Sequence, residues 1–185
     1  MDCKETAVDA YTSHDLGAYQ VELSRLMQEN SPAIFANYSR AHARCIIRTF
    51  LESATRSVSI LAGNFGNAFY SLPDIRAALQ RAVENGARIR VISLCVDGKS
   101  MRTVRDLVTS MNNLSPGAIE VRFAMVRPGA QVKHYMVIDD ARYRLEDVHS
   151  DDPESPVHAE VCCNGPGKAA ALNLSFNNVW NRLAS

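Results

Sequence analysis

The stretch SVSILAGNFGNAFYSLPDIRAALQRAVENGARIRVIS, residues 57–93, constrains the fold more than any other. It opens with a β-rich run, SVSILAG over 57–63, that stops at Gly63. Within SLPDIRAALQRAVENG, residues 71–86, Ile75, Leu79, Ala82 and Val83 recur at helical spacing, which predicts an amphipathic helix. Ser71 and Asp74 have the spacing of a capping box, and Asn85-Gly86 supplies the helix stop. ARIRVISL, residues 87–94, then alternates Ile89, Val91 and Ser93 against Arg88, Arg90 and Ile92, as a strand does. A strand, a helix and a second strand in immediate succession call for a sheet with helices packed on it.

The flanking segments extend that pattern. Tyr19, Leu23, Leu26 and Met27 are spaced as in a helix over 16–29. Ile46, Ile47, Phe50, Leu51 and Ala54 form an apolar stripe on a helix that starts near Ser39. Beyond residue 94 come a helix over 100–113, a turn at SPGA, a strand over 119–125, and two short strands over 134–139 and 142–146. VHAEVCCN is a last strand, with Cys162 and Cys163 on opposite faces. The closing helix places Leu172, Phe176, Val179, Trp180 and Leu183 on one side. The acidic, proline-rich segment 150–156 reads as a surface loop. The expected fold is α/β, a three-layer sandwich with a central mixed β-sheet flanked by helices. A single domain over 1–185 is expected, divided into an N-terminal helical extension over 1–38 and a core over 39–185.

Composition narrows the function classes. With 20 basic and 20 acidic side chains the formal net charge is zero, which argues against a dedicated nucleic-acid coat but leaves room for a local basic site. No apolar run approaches the roughly 20 residues that span a bilayer. The polar start, MDCKETAVDAYTSHD, lacks the order of a signal peptide, so a cytoplasmic protein without a membrane role is expected. Five irregularly spaced cysteines read as reduced thiols. No CxxC or Cys/His metal spacing occurs, and neither a metal nor a cofactor is expected.

Several segments invite chemistry and have plainer readings. NGPGK, residues 164–168, precedes a helix, but Cys162 and Ala169 stand where a phosphate loop needs Gly and Ser or Thr. A helix start with proline in its first turn accounts for it. AGNFGNAFY, residues 62–70, follows a strand, where ligands tend to bind in open α/β sheets. Asn64 and Asn67 could donate to a ligand there, against the alternative of a turn that simply needs glycine. His14, His42 and His158 are isolated and read as structural or exposed, and His149 has no second rigid ligand nearby.

The segment QVKHYMVIDDARYRLE, residues 131–146, concentrates the remaining polar residues around a strand-like YMVI. Together with SVSILAGNFGNAFYSLPDIRAALQRAVENGARIRVIS and the closing FNNVWNRL, it resembles the phospholipase D-like superfamily over roughly residues 40–183. That resemblance implies a His-x-Lys-x-x-x-x-Asp motif on a strand late in an α/β unit. Histidine would attack phosphorus, lysine would neutralise the phosphate oxygens, and single-motif proteins would pair two chains across a two-fold axis. A homodimer is the partner state this implies.

The sequence departs from the motif. Placing His134 at the histidine puts Met136 where lysine belongs and Ala141 where aspartate belongs. Placing Asp139 at the aspartate puts Val132 at the histidine and His134 at the lysine. Lys133 faces the opposite way from its strand neighbours, and no Gly-Ser-x-Asn follows. Two expectations follow. In the first, a phospholipase D-like domain without hydrolysis binds a ligand, a nucleic acid or nucleotide phosphate, or a partner protein. Lys133, Asn64, Arg144 and Glu146 would then be the ligand or phosphate residues, and the setting would be a larger complex, such as a bacterial defence or nucleic-acid-processing system. In the second, an active metal-independent phosphodiesterase or nuclease uses His134 as nucleophile, with Asp139 or Asp140 orienting it. Arg144 and Glu146 have a third reading, a structural ion pair.

Overall fold

The computed structural model describes residues 16–63, 65, 69–95, 97–112, 117–127, 132–146 and 157–183. Its elements run α1 (Leu16–Gln28), β1 (Ile34–Asn37), α2 (Arg40–Glu52), β2 (Ser57–Ala62), α3 (Pro73–Glu84), β3 (Arg88–Cys95), α4 (Gly98–Asn112), β4 (Ile119–Met125), β5 (His134–Ile138), β6 (Arg142–Glu146), β7 (Ala159–Cys162) and α5 (Pro166–Arg182). Seven strands form one sheet in the order β1-β7-β6-β5-β2-β3-β4. The pairs β2–β3 and β3–β4 are parallel, and the other four are antiparallel, so the sheet is mixed as expected.

Period-two alternation sorts the strand side chains onto two cores. One face carries Val58, Ile60, Ile89, Val91, Met136, Ile138 and Val161 against apolar residues of α1, α2, α3 and α4. The other carries Leu61, Ile92, Tyr135, Val137, Tyr143 and Leu145 against Phe176 and Trp180 of α5. Cys163 and Cys162 fall on the two different cores. The three layers are therefore four helices, the sheet, and one helix. Within the described residues no helix is long and apolar enough to cross a membrane.

Two local expectations are corrected. The segment read as a helical extension over 1–38 contains an edge strand: Ile34–Asn37 pairs antiparallel with β7, and Tyr19, Leu23 and Leu26 of α1 belong to the main core. The segment is too short to show its period, and its pairing partner lies more than a hundred residues away. At α3 the helix starts at Pro73 with Leu72 as N-cap and no side-chain cap bond, so the Ser71–Asp74 capping box does not form. Asp74 instead accepts from Arg44 Nε and Nη2, both at 2.8 Å, joining α3 to α2. The expected loop at 150–156 and the 147–149 stretch with His149 lie outside the described residues.

The other helix ends follow their sequence signals. Asn85 is the C-cap of α3, and Gly86, at φ +91, takes a left-handed conformation that glycine tolerates best. The NGPGK segment starts α5 with Gly165 as N-cap and Pro166 in the first turn. Gly165 is there for space as well. A Cβ at that position would meet Tyr143 Cε1 at 2.6 Å and Cys162 Sγ at 3.1 Å, and both side chains are buried. Gly165→Ala is expected to lose about 1–3 kcal/mol of stability through overpacking. Chemical denaturation would show it as a lowered midpoint at unchanged slope.

Candidate functional site

The antiparallel registers place a polar line across the α1–α4 face of the sheet. Asn37 pairs with Ala159, Ala159 with Glu146, and Glu146 with His134. Leu61 pairs with Tyr135, so Ala62 falls in line with His134, and Ala62 pairs with Ser93. Four polar side chains (Asn37, Glu146, His134 and Ser93) thus share one transverse row, and all four are buried. The row lies at the carboxyl ends of the parallel strands β2 and β3, where ligands of open α/β sheets bind.

Arg144 sits one step further in, opposite Met136. Its Nη2 donates to Glu146 Oε2 at 2.9 Å, and its Nε donates to Asn37 Oδ1 at 2.9 Å. Both charged side chains of the pair are less than a tenth exposed. A charged pair this deep is tolerated because each partner meets the other's charge and hydrogen-bonding need. Tyr70 lies within the field of this pair: burial pushes its phenol up to about 12, with Arg144 pulling it down and Glu146 pushing it further up. Tyr19 is raised for the same first reason. Tyr19 also stacks on His42, ring centroids 3.8 Å apart and planes within 3°. Burial lowers the His42 pKa and favours the neutral ring. At the other end of the row Ser93 Oγ accepts from the Phe65 N–H and donates to the Gly63 carbonyl, both at 3.2 Å, which pins the turn after β2.

The residues singled out by sequence divide into four groups. His134, Arg144 and Glu146 come together, because the β5–β6 hairpin keeps the pairing that sets His134 opposite Glu146. Lys133 is exposed just before the strand, and Val132 packs at the edge of the α5-side core. Asn64 and Asn67 lie outside the described residues. Asp139 and Asp140 are a correction. They form the β5–β6 turn at the far end of the strand, roughly 16 Å from His134 at about 3.3 Å per residue. Neither orients His134.

Asp139 has a different duty. Its Oδ1 accepts from the backbone N–H of Arg56 at 2.8 Å and of Ser57 at 2.9 Å. Its Oδ2 accepts from Thr55 N at 3.0 Å and Thr55 Oγ1 at 3.1 Å. Asp139 and Asp140 take φ values of +52° and +58°, a left-handed conformation that aspartate tolerates better than most residues. Asp140 Oδ1 accepts from Asn173 Nδ2 of α5 at 2.6 Å. Burial opposes ionisation of Asp139, but the N–H groups of Ser57, Arg56 and Thr55 outweigh it and hold the carboxyl below its usual range. A depressed folded-state pKa gives stability that is present above the unfolded value of about 4 and lost as pH falls through the folded one.

Sequence reasoning missed Asn37, Ser93 as a turn anchor, Tyr19 and Tyr70. Asn37 sits on the strand that had no readable period, and the tyrosines look like ordinary apolar positions. Among the described residues no group of three or more His, Cys, Asp or Glu side chains could hold a metal.

No family model and no curated protein matches the chain. Solved structures do. Nuc from Salmonella typhimurium, a phospholipase D family member, is 22% identical with a TM-score of 0.60, over 82% of this chain and 95% of that one. TrmBL2, an archaeal chromatin protein with a novel mode of DNA binding, is 12% identical with a TM-score of 0.60, over 89% of this chain and 60% of that one. The phosphatidylserine synthase of Haemophilus influenzae is 11% identical with a TM-score of 0.52, over 82% of this chain and 39% of that one. The chain has the phospholipase D-like fold.

Two sets of variants check the site's physics. Arg144→Ala removes the buried guanidinium that Glu146 and Asn37 share and is expected to cost about 3–5 kcal/mol, whereas Arg144→Met with Glu146→Leu should cost far less than the two single changes summed. Asp139→Asn is expected to destabilise at neutral pH and to flatten the acid limb of the stability profile below about pH 4. Urea melts across a pH series read both.

Proposed function

We propose that this protein is a phospholipase D-like domain that does not hydrolyse phosphodiesters and serves as a binding or assembly subunit. The observation that supports this best is the pairing of Arg144 with Glu146 and Asn37 beneath the polar row. A phosphate-handling cation must keep its donors available to the oxygens on which negative charge builds. Here the guanidinium directs two of its nitrogens to protein acceptors, and one of those acceptors is a carboxylate of equal and opposite charge. Methionine occupies position 136, two residues after His134 on the same face, so the strand supplies no lysine beside the imidazole. His134 itself is buried, at 9% exposure, and Asp139 and Asp140, close to it only in sequence, are committed to the turn at the far end of β5.

A larger complex is the setting that suits such a domain, and a nucleic-acid-related or bacterial defence assembly is our reading of it. TrmBL2, a chromatin protein that binds DNA, supports nucleic acid as a partner class for this fold. Pairing of two chains as a homodimer is part of the same proposal.

The test is an assay of the purified protein against a chromogenic phosphodiester, single- and double-stranded DNA, and RNA, with and without EDTA. Turnover should stay at the buffer background, and His134→Ala should leave it there. Metal-independent cleavage that His134→Ala abolishes would overturn the proposal and make the protein an active phosphodiesterase.

A further inference from the structure

The zero net charge of the chain conceals a division. Residues 88–127 carry seven Lys or Arg and three Asp or Glu, a net of +4, so the remainder carries −4. These residues build β3, α4 and β4, which lie together at one margin of the sheet, with β4 as its edge strand. The margin is distant in the sheet order from β6, β7 and β1, which hold Arg144, Glu146 and Asn37.

The cations surround β4 on both sides. On the α5 side, the Arg122 guanidinium lies 4.1 Å from the Trp180 ring centroid and donates from Nη1 to the Trp180 carbonyl. Beside it, Arg90 lies over Phe176 at 5.2 Å and over Trp180 at 5.5 Å. On the α4 side, Arg105 lies over Phe123 of β4 at 5.3 Å. Arg102 is exposed one turn earlier on α4, and Arg88 is 73% exposed at the start of β3, where it lies 3.5 Å from Glu120.

Edge protection alone would explain charged residues on β4 itself. It does not explain why the cations continue onto an adjacent helix and onto the next strand in. Nor does solubility explain why three guanidiniums are set over aromatic rings. A guanidinium stacked on a ring keeps its planar fork of donors at the periphery and has less rotamer freedom left to lose when it meets an anion. Multiple such forks along one margin suit a ligand with regularly repeated negative charges.

We propose that the β3–α4–β4 margin binds the phosphate backbone of a nucleic acid, without reading sequence. The row reaches this margin only at Ser93 of β3, and none of the cations named here belongs to it, so this binding stands whether or not the row hydrolyses anything. A phosphate polyanion also predicts the form of the binding: affinity should fall steeply with salt, with a slope set by the number of phosphates neutralised.

The experiment is fluorescence anisotropy of labelled short single-stranded DNA, duplex DNA and RNA with the full chain, titrated at several salt concentrations. The variant Arg88→Glu, Arg102→Glu, Arg105→Glu should lose affinity by more than about tenfold and reduce the salt slope by about 2–3. A control with the same change in net charge, Arg25→Glu, Arg81→Glu, Lys168→Glu, lies on α1, α3 and α5 and should lose much less. The milder pair Arg102→Gln with Arg105→Gln, checked by circular dichroism, should show a smaller loss in the same direction with the fold intact. Equal losses in the two triple variants would overturn the proposal by reducing it to net charge. So would absence of binding at low salt. Because anisotropy reads occupancy and the hydrolysis assay reads turnover, failure of one is distinguishable from failure of the other.

Discussion

The hydrogen bonds received by the Asp139 carboxylate fix the rest of the structure. It takes the N–H groups of Thr55, Arg56 and Ser57, the residues that lead into β2, and so clamps the end of β5 to the start of β2. The Asp139 N–H completes the clamp by donating to the Ser57 carbonyl at 2.9 Å. Side chains alternate with a period of two, so a slip of one residue would exchange the two faces of β5. His134 and Met136 would move to the α5 side, and Tyr135 and Val137 would move under α2. The polar row exists because this register is held.

From that register follows the placement of charge. β6 is paired to β5 through the turn that Asp139 and Asp140 form, which sets Glu146 opposite His134 and Arg144 opposite Met136. β7 and β1 then carry the row to Asn37 at the far margin. Arg144 reaches Glu146 two residues along its own strand and Asn37 two strands away, and the three groups satisfy one another away from water. This arrangement stabilises the interior while reducing the charge that the row can direct at a phosphate. The same margin-to-margin layout separates the Arg144–Glu146–Asn37 group from the cations of the β3–α4–β4 border.

Much of the fold was legible because its signals are local. The helices at 71–86 and 39–54 announced themselves by apolar spacing, and the strands at 87–94 and 134–146 by alternation or β-rich runs. Capping at Ser71 failed as an expectation because the local pattern competed with Pro73 and with the Arg44–Asp74 pair, a contact between helices that sequence spacing does not contain. Asp139 and Asp140 looked like catalytic candidates because they stand near a histidine in sequence. On an extended strand a few residues span the width of a pocket, so proximity in the chain became distance in space.

The sequence by itself determined the α/β class, the order of most elements, and the absence of the full His, Lys and Asp motif in any alignment, since each depends only on residue identity and short-range periodicity. It also determined that basic residues concentrate between 88 and 127. The tertiary structure alone decided that Ile34–Asn37 is an edge strand, that Arg144 is shared between Glu146 and Asn37, and that Asp139 is a clamp. It also set Arg90, Arg105 and Arg122 over aromatic rings. Each of these joins groups from different elements, and the free energy of an ion pair or a stacked ring depends on distance and burial, which only the packed chain supplies.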